Sequence, residues 1–77
     1  MKKKKTENYS AAVILGDCLK IGDKEVPITM RNITDERGTM YRIDIDGDLW
    51  VVSDNMHQAT VMYELMRDHI VEYLTER

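Results

Sequence analysis

From Asn55 to Thr75 the chain runs without a glycine or proline, and its apolar residues recur at the helical period. Met56, Ala59, Met62, Tyr63, Met66, Ile70, Tyr73 and Leu74 fall within a stripe about 120° wide, the signature of a helix with one face to bury. Such a helix, of about 20 residues, is about 30 Å long at about 1.5 Å per residue. Ser53 and Asp54 are natural N-caps, because their side-chain oxygens accept from first-turn amides that lack a helical partner. The residues upstream must supply the apolar surface that this stripe covers.

That upstream stretch reads as four strands. Residues 9–21 predict the first, bent or bulged at Gly16-Asp17, and Gly22-Asp23 is a two-residue hairpin turn. The turn sets Ile21 opposite Lys24 and Leu19 opposite Val26. Leu19, Ile21, Val26, Ile28 and Met30 then share one face, and Cys18, Lys20, Glu25 and Thr29 the other. Pro27 lacks a backbone donor, so its nitrogen must point away from a partner strand or sit at an irregularity. Residues 34–38 form a polar loop before a third strand over 39–46, where Tyr41, Ile43 and Ile45 alternate with Arg42 and Asp44. Asp46-Gly47-Asp48 closes the last hairpin. A two-residue turn there places Trp50 and Val52 on the face of Ile43 and Ile45, whereas a three-residue turn places Leu49 and Val51 there. The expected fold is α+β: a four-stranded antiparallel β-meander with one C-terminal helix packed on one face, β-β-β-β-α.

At 77 residues the chain is expected to make one domain, residues 9–77, behind a disordered basic tail, residues 1–8. No apolar run approaches the roughly 18 residues of a membrane span. The apolar run at 11–15 is five residues, shorter than the about 7–15 of a secretion signal. Asp17 precedes Cys18 where a lipoprotein site has a small residue. A cytoplasmic protein is expected. The formal charge of −3 conceals an asymmetry: residues 6–77 hold fourteen Asp/Glu against seven Lys/Arg, or −7. An acidic body repels nucleic acid, so nucleic-acid binding would fall to the tail residues Lys2, Lys3, Lys4 and Lys5.

Motifs for catalysis are lacking. Asp44, Asp46 and Asp48 superficially resemble a calcium loop, but Gly47 is fourth rather than sixth, Asn55 stands at position twelve, and strands flank the segment. His57 and His69 are twelve residues apart and share no turn. Cys18 has no second cysteine for a disulfide or a redox pair. No metal or cofactor is implied, and a non-enzymatic protein is expected.

What remains is surface. Val61 and Leu65 fall on the helix's outward side beside Glu64, Asp68 and Glu72 at i, i+4 and i+8. These residues are the expected protein-binding ridge, with Asp44, Asp46 and Asp48 as a second acidic cluster. Leu49, Val51, Cys18 and Tyr9 or Ala11 dot the uncovered sheet face. In length, acidity and layout the chain resembles the short single-domain proteins of bacteriophages and mobile elements. The expected role is a protein-interaction module, in one form an inhibitor whose carboxylates replace phosphates in a target's groove. Alternatives are a nucleic-acid-associated protein led by its lysine tail and a structural homodimer.

Overall fold

Two-residue turns set the register of the whole sheet in the computed structural model, which describes residues 10–75. Strand β1 (Ser10–Ile21) turns at Gly22-Asp23 into β2 (Lys24–Asp35). Gly22 has a positive φ, as the first position of a type II′ turn requires. The register is the expected one, with Ile21 opposite Lys24 and Leu19 opposite Val26. The second turn is tighter than the five-residue loop expected: Asp35 pairs with Gly38, which leaves only Glu36 and Arg37 between the strands. The Arg37 N–H donates to Asp35 Oδ1 at 2.8 Å and its guanidinium to Oδ2 at 3.2 Å. Those contacts, the backbone N–H foremost, hold the Asp35 carboxyl below the usual range.

Strand β3 (Gly38–Ile45) turns through Asp46-Gly47 into β4 (Asp48–Ser53). Both turn residues have positive φ, the pattern of a type I′ turn. The sheet is antiparallel throughout, in the order β1-β2-β3-β4. Pro27 fits the ladder at its edge: its carbonyl accepts from Asp46 N–H at 2.7 Å. Its nitrogen points the same way, off the end of β3's pairing at Ile45.

Two bulges correct the alternation read from sequence. In β4 the pairing passes from Leu49 opposite Asp44 to Val51 opposite Ile43, which leaves Trp50 as the extra residue. Trp50 and Val51 both pack against the core, and Val52, expected inside, is exposed. In β1 the irregularity is at Ile14, between Val13 and Leu15, rather than at Gly16-Asp17.

The helical stripe forms in two pieces, α1 (Met56–Asp68) and α2 (Ile70–Thr75). His69 (φ −123°, ψ 34°) breaks the run expected to be continuous. The break lets α2 set Ile70 in the core and bring Tyr73 edge-on to Trp50, centroids 5.9 Å apart at 84°. The cap is Asn55 rather than Ser53 or Asp54: its side chain accepts from Gln58 N at 2.8 Å. Ser53 Oγ supports it from two residues earlier, accepting from Asn55 N at 3.1 Å.

The core lies between the layers. Val26, Ile28, Met30, Ile43 and Ile45 come from the sheet, and Ala59, Tyr63, Met66 and Ile70 from the helices. Met56, placed in the stripe by its spacing, is 55% exposed at the start of α1. Tyr63 crosses the core with its hydroxyl donating to Asp17 Oδ2 at 2.6 Å, and the Ile28 carbonyl lies at 3.3 Å. Burial first, and then the Asp17 carboxylate, push its phenol well above the ordinary value.

Candidate functional site

Because both helices lie on one side of the sheet, no element among the described residues covers the other side, and the registers specify what it shows. Opposite residues share a face, so one row across it reads Gly16, Thr29, Asp44 and Leu49. The next reads Val13, Arg31, Arg42 and Val52, and the last Ala11, Ile33 and Met40. Val13, Leu49, Val52 and Met40 are exposed apolar side chains.

Arg31 and Arg42 are directly opposite one another, an arrangement that repels like charges. Asp44 resolves it. Arg31 Nη1 donates to Asp44 Oδ2 at 3.1 Å and Arg42 Nε to Oδ1 at 2.8 Å. Asp44 is only 4% exposed, whereas the arginine side chains are 43% and 38% exposed. One carboxylate thus fixes two guanidinium groups on a rigid sheet, and the cluster carries a net positive charge. Each arginine uses one nitrogen on Asp44 and keeps further N–H donors for another acceptor.

This placement corrects the expected second acidic cluster. Asp44 does face outward along β3, but it is buried and ion-paired. Asp46 sits in the last turn against Lys24 Nζ at 3.6 Å, and Asp48 pairs with Ile45 at the start of β4. Among the described residues no three His, Cys, Asp or Glu side chains are grouped to hold a metal ion.

The helix ridge does come together. At about 100° per residue, Val61, Glu64, Leu65 and Asp68 lie on the side opposite Ala59, Tyr63 and Met66. Val61 and Leu65 are 41% and 45% exposed, and Glu64, Asp68 and, across the break, Glu72 are exposed beside them. Arg67 Nε reaches Asp68 at 3.1 Å, and that carboxylate holds its guanidinium pKa above the usual value. His69 Nδ1 is 3.4 Å from Glu72 Oε1. His57 is exposed, and the exposed Cys18 has Sγ 4.0 Å from Glu25 Oε1.

Two open grooves adjoin at Met40 and Asp54, where the sheet passes into α1. One, about 480 Å³, is lined by Val51, Val52, Ser53, Gln58 and Met62 as well. The other, about 430 Å³, adds Asp35, Arg37, Gly38 and Thr39. Residues 2–5, the candidate nucleic-acid contact, and Tyr9 lie outside the described residues. Among those described, no helix is long and apolar enough to cross a membrane.

Arg31 and Arg42 are the residues that sequence reasoning missed. Their pairing follows once the second turn is a two-residue turn at Glu36-Arg37, and the five-residue loop concealed it. No protein-family model, curated protein or solved structure matches the chain.

Proposed function

We propose that this protein is a non-enzymatic interaction module that binds another protein through the acidic, aliphatic ridge of its helices. The observation that carries this reading is the exposure of Val61 and Leu65 on the side of α1 opposite the core, beside the row Glu64, Asp68, Glu72. Scattered exposed apolars are ordinary, but two on adjacent turns within an acidic row present contact area and charge together. Residues 10–75 hold twelve Asp/Glu against six Lys/Arg, so the body steers toward a basic surface. The face it meets is therefore basic with aliphatic side chains.

The test uses tagged full-length protein as bait in a lysate of the native host, with cross-linking to locate the contact. Wild type and Val52→Glu should capture the same protein, cross-linked at the ridge, and Leu65→Glu should lose it. Capture that is indifferent to Leu65→Glu and to salt would end the ridge reading, because a charged rim contact weakens as the Debye length shortens.

A further inference from the structure

We infer that the basic face met by the helix ridge is the open sheet face of a second copy, so that the chain stacks head to tail. This rests on the ridge being a protein-binding surface, and it names the partner. The two faces of one molecule are complementary in both charge and character. The ridge offers Glu64, Asp68 and Glu72 around Val61 and Leu65. The sheet face offers Arg31 and Arg42, fixed by Asp44, among Val13, Leu49 and Val52. The lengths also agree, since α1 has 13 residues and β3 has 8. A helix of that size is about 20 Å long at about 1.5 Å per residue. The strand it would cover is about 26 Å long at about 3.3 Å per residue.

Charge also excludes the two symmetric alternatives. Sheet against sheet would confront the arginine pair with its own copy, and ridge against ridge would do the same with the carboxylates. Only ridge on sheet places opposite signs together. That interface is heterologous, and because the ridge and the sheet face lie on opposite sides of the molecule, each added copy extends the stack instead of closing a ring. Each contact is one helix wide, in the small and weak class of interfaces, so association should need high concentration.

Sedimentation velocity on the full chain tests this. From about 10 μM to about 500 μM at about 50 mM salt the mean sedimentation coefficient should rise past the dimer value without a plateau, and fall back at about 500 mM salt. Leu65→Glu and Val52→Glu each change an exposed side chain and should each stay monomeric, with unchanged circular dichroism. Mixed in equal amounts they should form a 1:1 heterodimer and nothing larger, because only the intact ridge of Val52→Glu and the intact sheet face of Leu65→Glu can meet. A plateau at dimer in the wild type, or a mixture that stays monomeric, overturns the inference. Lysate capture through Leu65 by a wild type that is monomeric throughout would overturn it too, while leaving the ridge reading in place.

Discussion

Replacing Asp44 by Asn keeps the shape of the side chain and removes the charge that holds Arg31 and Arg42 together. The cost can be worked from the geometry. Two charge-assisted hydrogen bonds, 3.1 and 2.8 Å, converge on a group that is 4% exposed. Each such bond is worth about 1.5–3 kcal/mol when buried. Both arginines are more than a third exposed, and solvent screening discounts each pair toward the surface range of about 0–1 kcal/mol. The amide still accepts one of the bonds, but the facing guanidinium groups then repel across the strands. An overall cost of about 2 kcal/mol is expected, which at about 4–8 °C per kcal/mol lowers Tm by about 8–16 °C. Urea titration, with m unchanged, measures it directly. Replacing all three groups by apolar ones (Arg31→Met, Asp44→Leu, Arg42→Met) should restore most of that stability, since the desolvation of the charges goes with their attraction. A loss below about 0.5 kcal/mol for Asp44→Asn, a surface-pair value, would refute the claim that this carboxylate organises the sheet face.

Tyr63→Phe removes the hydroxyl that reaches Asp17 and should cost about 1 kcal/mol by denaturation, without loss of fold. The Tyr63 phenol is raised in the folded state, so its contribution is full below the ordinary phenol pKa of about 10 and is lost as pH rises through the higher folded value. The stability difference between wild type and Tyr63→Phe, measured by urea titration, should therefore shrink as pH rises above about 10. Asn55 caps α1, and Asn55→Ala should cost about 1 kcal/mol, whereas Asp54→Ala, one residue earlier, should cost almost nothing. Equal effects in urea titrations would mean the cap is misplaced. Met66→Ala empties a fully buried position and should cost about 2–5 kcal/mol, enough to leave a domain of this size largely unfolded in circular dichroism at about 37 °C.

The parts of the fold legible in the sequence were those set by short-range geometry. The Gly22-Asp23 turn aligned Leu19 with Val26 because a two-residue loop allows one register. The helical period found Ala59, Tyr63, Met66 and Ile70 because the helix has one apolar side. What escaped depends on contacts distant in sequence. Trp50 bulges where its ring meets Tyr73, far along the chain in α2, and that displacement exchanges Val51 and Val52 between faces. The break at His69 carries no glycine or proline to announce it. Asp17, read as part of a bend, hooks Tyr63 from 46 residues away. The ridge of Val61, Glu64, Leu65 and Asp68 was legible because it is the complement of the buried stripe. The arginine pair was not, because it required the true length of one loop.

The bulge at Ile14 bears on how the molecule avoids growing sideways. β1 is an outer strand, and its residues 10–16, Ser-Ala-Ala-Val-Ile-Leu-Gly, carry no charge to repel a strand laid alongside. A straight edge of this composition is a template for fibril-like pairing. The extra residue kinks the edge midway through the run, so an incoming flat strand meets matching backbone groups on one side of Ile14 only. Deleting Ile14 would straighten the edge and leave Val13 opposite Arg31 and Leu15 opposite Met30 in plain alternation, with every face kept. The inner face would be unaltered, and a guarded margin would become an open one.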